Sequence, residues 1–146
     1  MEPLTVPGSQ DSLQKIRQYL TSATQEAGIE KRAYKLCLAV DEIATNIITH
    51  GYDEVGLKGN IYLEAKIDRE SLAIVLEDTG IPYDPTTRET VTAETLRKLL
   101  EKKDLGGWGV YLAMEGVDEF KYERVGDRNR NILIVNRTKT SLMDNG

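Results

Sequence analysis

The stretch Ile61-Tyr62-Leu63-Glu64-Ala65-Lys66-Ile67-Asp68-Arg69-Glu70-Ser71-Leu72-Ala73-Ile74-Val75-Leu76 decides the fold. Ile61, Leu63, Ala65 and Ile67 alternate with Tyr62, Glu64 and Lys66, the period of a strand with one face in the core. Asp68 to Ser71 forms a turn, and Leu72 to Leu76 is an apolar strand of its own. A connection this short joins antiparallel neighbours, so the stretch is a hairpin whose apolar face requires a covering layer.

The residues before it supply that layer. From Lys31 to His50, Leu36, Val40, Ile43 and Ile47 recur at steps of four, three and four, the stripe of a helix that faces a core. No proline interrupts this segment, and Gly51 stands where a helix commonly ends in a left-handed residue. Further upstream, Leu4 to Val6 is a short extended piece. Ser9-Gln10-Asp11 can then cap a helix carrying Leu13, Ile16, Arg17 and Leu20, which Gly28 closes.

Downstream of the hairpin the pattern weakens between Gly80 and Asp104, where Pro82 and Pro85 break it and only Val91 to Leu100 suggests a helix. Gly109 to Met114 opens another short helix from glycines. Val117 to Arg124 and Asn131 to Asn136 then form a final hairpin turning at Gly126-Asp127. The predicted fold class is α+β: a two-layer α/β sandwich with helices on one face of a mixed, mainly antiparallel sheet.

Composition limits the functions such a domain can have. At 146 residues the chain is predicted to form a single domain over 1–146. No apolar run approaches the roughly 20 residues of a membrane helix. Net charge is −5 and the longest basic cluster is Lys102-Lys103, which leaves little for counterion release from a nucleic acid. Met1 to Pro7 lacks the basic flank and apolar stretch of a secretory signal, and Cys37 is the only cysteine, so no internal disulfide forms. A cytoplasmic protein that does not bind nucleic acid directly is the expectation, with docking on a protein partner left open.

Three groups of residues suggest chemistry. Glu42 and Asn46 lie one helical turn apart, with Cβ atoms about 6 Å from each other, so they can share one ligand. An amide oxygen is a hard neutral donor that suits Mg²⁺, and a carboxylate beside it can take a proton from a hydroxyl. Spacing alone also permits a solvated helix face. Asp78, at the end of an apolar strand and followed by Thr79-Gly80-Ile81-Pro82, presents a fixed acceptor for an exocyclic amine, and Gly80 lets backbone approach a flat base; an ordinary turn reads the same way. Gly106-Gly107-Trp108-Gly109 precedes a short helix, so its backbone amides can meet phosphates, although a flexible linker would use the same residues. Neither a Walker motif nor a dinucleotide fingerprint fits these glycines. His50 is expected to be a packed or hydrogen-bonded histidine, and Trp108 a packing anchor.

Taken in order, Glu42-x-x-x-Asn46, Asp78-x-Gly80-x-Pro82 and Gly106-Gly107-x-Gly109 resemble the motifs of the GHKL ATPases with the Bergerat fold. More narrowly, Ala39 to Asn46, His50-Gly51-Tyr52 and Gly106 to Leu112 resemble the bacterial anti-sigma factor serine/threonine kinases. The likeness spans nearly the whole chain, with Trp108 inside the glycine motif and Tyr83 where that family often has phenylalanine. It implies ATP as nucleotide, with Asn46 on Mg²⁺, Glu42 activating the attacking hydroxyl and Asp78 on adenine. Gly80, Gly106, Gly107 and Gly109 would line the pocket under a lid spanning about 82–105. It also implies transfer to a serine of an anti-anti-sigma (STAS-type) partner, a sigma factor as competing partner, and homodimerisation. A module that binds nucleotide and gates a partner without catalysis would need Asn46 and the glycines but not Glu42.

Overall fold

The computed structural model describes residues 1–82 and 116–137. Within them, strand β1 (Leu4–Pro7) leads through a short 3₁₀ turn (Gln10–Ser12) into helix α1 (Leu13–Glu26). A second 3₁₀ turn (Glu30–Arg32) enters helix α2 (Ala33–Asn46), which continues as a π-helical turn over Ile47–Asp53. Strands β2 (Asn60–Ile67), β3 (Ser71–Asp78), β4 (Glu119–Val125) and β5 (Arg128–Asn136) complete a five-stranded sheet in the order β1-β2-β3-β5-β4. Every pairing among the described residues is antiparallel.

The alternation that predicts the hairpin sets the register. Leu63 lies opposite Leu76, and Ala65 opposite Ile74, with their side chains on the face turned toward the helices. Leu72 pairs with Val135 and Ile74 with Leu133, which continues the same apolar layer onto β5. Asp68 stops β2 and starts β3: its Oδ1 accepts the amides of Glu70 at 2.8 Å and Ser71 at 2.7 Å, an Asx turn that also lowers the Asp68 pKa. Gly126 makes the tight reversal between β4 and β5 with φ of 61°.

The stripe Leu36, Val40, Ile43 and Ile47 is buried against this sheet, joined by Ile16, Leu20 and Ala23 of α1. Fully burying side chains of this size contributes about 1.5–3 kcal/mol each, the term that holds the two layers together. On the outer face, by contrast, charged rungs cross the strands: Glu77 meets Arg128 at 3.2 Å and Arg130 at 3.0 Å, and Arg128 stacks 4.4 Å above the Tyr62 ring.

Two local expectations need correction. No side chain of Ser9, Gln10 or Asp11 caps α1; the Ser12 hydroxyl donates to the Pro7 carbonyl at 2.6 Å, tying the helix entrance to β1. Gly51 does not end the second helix either. It is buried inside the π-helical turn, where Glu54 N–H reaches back five residues to Thr49 O at 2.9 Å. The left-handed glycine that follows is Gly56, with φ of 70°. As expected, Gly28 closes α1 with φ of 75°.

Candidate functional site

The inward face of the sheet changes character at one end. On β3 the sequence of inward residues Leu72, Ile74, Leu76 ends in Asp78, and on β5 the inward residues Val135 and Leu133 give way to Asn131 and Asn129. The register places Asp78 opposite Asn129 and Leu76 opposite Asn131, so three polar side chains gather at one edge of an otherwise apolar layer. The end of α2 lies over them. Ile43, Asn46, Ile47, Gly51, Asp78, Ile81, Asn129 and Asn131 line a recess of about 270 Å³ including its open mouth.

Asp78 is only 1% exposed. Its Oδ1 accepts two hydrogen bonds of 2.9 Å, from the Gly80 amide and from Asn129 Nδ2. Asn129 is fixed in turn: Nδ2 also donates to the Ile81 carbonyl at 2.9 Å, and its Oδ1 accepts from the Tyr122 hydroxyl. Burial raises the Asp78 pKa above the ordinary aspartate value, against the opposing pull of Asn129, the Gly80 amide and the nearby Arg124. The other oxygen, Oδ2, is buried with no hydrogen-bond partner.

Two more lining atoms share that condition: Asn46 Nδ2 and Asn131 Oδ1. A buried polar atom left unpaired costs about 1–3 kcal/mol, so folds rarely gather several in one place without a ligand or ordered water to satisfy them. A molecule offering an amine to Asp78 and further polar groups to the two asparagines would relieve all three.

Glu42 sits one turn before Asn46, half-buried, but does not line the recess. Burial first and the neighbouring Asp41 second raise its pKa above the ordinary glutamate value, which makes it a better proton acceptor than an exposed glutamate. Asp41 itself turns to α1, where Arg17 forks onto both its oxygens at 2.9 and 3.2 Å. At Asn46 the only atom that could ligate Mg²⁺ is the amide oxygen. The atom buried there without a partner is the nitrogen, a hydrogen-bond donor, and among the described residues no group of three His, Cys, Asp or Glu could hold a metal. An amide oxygen supplemented by water and phosphate oxygens is a normal environment for that ion.

Gly80 has a structural reason to be glycine that its sequence context did not reveal. A Cβ there would stand 2.7 Å from the Gly51 carbonyl oxygen and 2.9 Å from Gly51 Cα, so the loop after β3 and the π-helical turn meet backbone to backbone. His50 is hydrogen-bonded as expected, with Nδ1 2.5 Å from Glu54 Oε1. Gly106, Gly107, Trp108 and Gly109, Tyr83, and the lid from residue 83 onward lie outside the described residues.

Asn129 and Asn131 are the site residues that sequence reasoning missed. The signal was present: in Arg128-Asn129-Arg130-Asn131-Ile132-Leu133-Ile134-Val135 the asparagines share the parity of Leu133 and Val135. Starting the strand at Asn131 instead of Arg128 hid it.

An open antiparallel sheet with helices on one face and a polar recess beneath a helix end make this an α+β domain with a candidate ligand site. The chain belongs to the histidine kinase-like ATPase domain family, which matches residues 6–136. That match supports an ATP-binding domain of the GHKL type, the broader of the two resemblances in the sequence. No curated protein matches the chain. Among the described residues, no helix is long and apolar enough to cross a membrane.

Proposed function

We propose that this protein is a regulatory serine/threonine kinase of the anti-sigma factor type, which transfers the terminal phosphoryl group of Mg-ATP to a serine of an anti-anti-sigma, STAS-type partner. The observation that carries this reading is the placement of Asn46 and Asp78, each with an unpartnered buried atom, on opposite walls of one recess, with Glu42 one turn away. Asp78 Oδ2 accepts the adenine amine while Oδ1 stays committed to Gly80 and Asn129. Asn46 would hold the metal ion through its amide oxygen, and the ion would supply charge neutralisation at the phosphates. Gly106, Gly107 and Gly109 supply backbone amides to them.

Phosphoryl transfer demands positioning and charge neutralisation more than covalent chemistry from the protein. Glu42 takes the proton of the attacking serine hydroxyl as the serine oxygen–phosphorus bond forms and the bond to the bridging oxygen of ADP breaks. Its raised pKa suits a group that must accept that proton and later release it. A sigma factor held when the STAS-type partner is phosphorylated, and a homodimeric assembly, complete the proposal.

The test is incubation of the protein with γ-labelled ATP, Mg²⁺ and candidate STAS-type partners, followed by mapping of the labelled residue. Label on a partner serine is the expected result; stable complex formation with no labelled protein would instead establish a nucleotide-gated binding module. The position of Glu42 outside the recess lining is what keeps that second reading in play.

A further inference from the structure

Tyr52 is 1% exposed and occupies the π-helical turn that follows α2. Its ring fills a slot between two backbones. A Cβ at Gly8 would stand 2.6 Å from Tyr52 Cδ2, and one at Gly59 would stand 2.7 Å from Cε1. The two glycines are themselves joined, Gly8 N–H donating to Gly59 O at 2.9 Å. A phenylalanine would fill this slot equally well, and bringing a hydroxyl into a core incurs a desolvation penalty unless it is fully hydrogen-bonded.

The hydroxyl is fully used. It donates to the Asn60 carbonyl at 2.7 Å, accepts the Thr79 amide at 2.9 Å, and lies 3.3 Å from Thr79 Oγ1. These partners occupy a telling place in the sheet. The β2–β3 register ends with Ile61 opposite Asp78, so Asn60 and Thr79 would be the next pair. Instead of meeting each other, they meet through the tyrosine oxygen, which splays the strands one residue beyond Asp78. From that point the chain swings to Gly80, whose backbone packs on Gly51, one residue before Tyr52.

We propose that Tyr52 is a positioning residue for base recognition: its hydroxyl, wedged between Asn60 and Thr79, fixes the exit of β3 so that Asp78 Oδ2 selects a base bearing an exocyclic amine. This rests on the reading of Asp78 as the adenine acceptor. The fixed element is short, since Thr79 is covalently next to Asp78 and the Gly80 amide is one of the two donors that orient its carboxylate. Freeing the Thr79 amide therefore loosens the link between Asp78 and Gly80, while Asp78 stays in register with Ile61 and Asn129 and the walls of the recess on α2 and β5 remain.

The experiment compares Mg-ATP with Mg-ITP, which carries a carbonyl in place of the adenine amine, on the full-length protein by equilibrium competition. In Tyr52→Phe the Kd for ATP rises about tenfold while that for ITP stays within about twofold, the size expected when the hydrogen bond between the base amine and Asp78 is lost. A merely structural role would weaken both nucleotides alike, leaving the ATP-to-ITP ratio at its wild-type value, and that result overturns the proposal. Should Tyr52→Phe not fold, Gly59→Ala serves instead. Its Cβ would lie 2.8 Å from the tyrosine oxygen and displace it, with the same loss of ratio expected and the same unchanged ratio refuting. A wild-type protein that binds ATP and ITP equally would remove the Asp78 assignment itself and the proposal with it. That failure shows in the wild type, before any variant is made.

Discussion

Replacing Asp78 by asparagine should exchange the base preference of the recess. In the wild type Oδ1 is held by two donors, Gly80 N–H and Asn129 Nδ2, both at 2.9 Å. A carboxamide must place its oxygen there, because its nitrogen would oppose two donors, and the amide nitrogen then falls where Oδ2 stood. An acceptor becomes a donor. Against the amine of ATP the variant loses a hydrogen bond to a charged group, about 1.5–3 kcal/mol, or roughly 10- to 150-fold in Kd. Against the carbonyl of ITP it gains an ordinary hydrogen bond of about 0.5–1.5 kcal/mol, roughly 2- to 10-fold. The lost negative charge affects both triphosphates alike and cancels in the ratio. Competition titration of both nucleotides on Asp78→Asn reads the ratio directly, and equal weakening of ATP and ITP would refute the reasoning. Stability moves with pH in a defined direction. The folded-state pKa of Asp78 is raised, so the wild type is helped by this group when it is protonated and loses that help as pH rises through the raised value. The stability advantage of Asp78→Asn in thermal melts should therefore be smallest in acid and grow toward neutral pH.

Other perturbations test the remaining parts. Glu42→Gln should lower phosphoryl transfer by about 10²- to 10⁴-fold with ATP affinity retained, and the wild-type rate should fall in acid with a midpoint above the ordinary glutamate range, since burial raises this carboxyl; transfer at the wild-type rate by the variant would remove Glu42 from the mechanism. Gly80→Ala forces a Cβ to within 2.7 Å of the Gly51 carbonyl and should destabilise the fold by about 1–3 kcal/mol in denaturant titration, with weaker ATP binding. Mg-ATP at about 100 times its Kd should stabilise the native state by about 2.7 kcal/mol. For a chain of this length that corresponds to a rise in Tm of roughly 5–10 °C by differential scanning fluorimetry, and no rise at saturation would exclude the ATP reading.

Local periodicity made much of this architecture legible. Ile61 to Leu76 carries its own register in a two-residue alternation, and Leu36 to Ile47 carries its own burial in a helical stripe, so both could be read without knowing what they pack against. Gly28 and Gly126 mark reversals because a positive φ is a local demand that glycine meets at little cost. The parts that escaped depend on partners distant in the chain. Gly80 meets Gly51, Asp78 meets Asn129, and the Tyr52 hydroxyl meets Thr79, and no window of neighbouring residues contains both members of any pair. The widened helical turn was invisible for another reason: Ile47, Ile48, Thr49 and His50 look the same to a hydrophobicity pattern whether amides reach back four residues or five. For the site, Asn46 and Asp78 do share one recess, while the spacing that suggested Glu42 could say how far it is from Asn46 but not which way the cavity opens.

The widened turn also constrains how this chain can vary in length. A π-helical turn accommodates an additional residue within what would otherwise be a regular helix. It changes the phase between Asn46 and Tyr52 by roughly a quarter turn relative to an uninterrupted α-helix. Removing one residue between them would restore the regular spiral and still leave a good helix, yet swing the aromatic anchor out of its slot between Gly8 and Gly59. A shortened segment could keep either the amide over the recess or the ring between the glycines, so single-residue deletions here should be far less tolerated than the point substitutions around them.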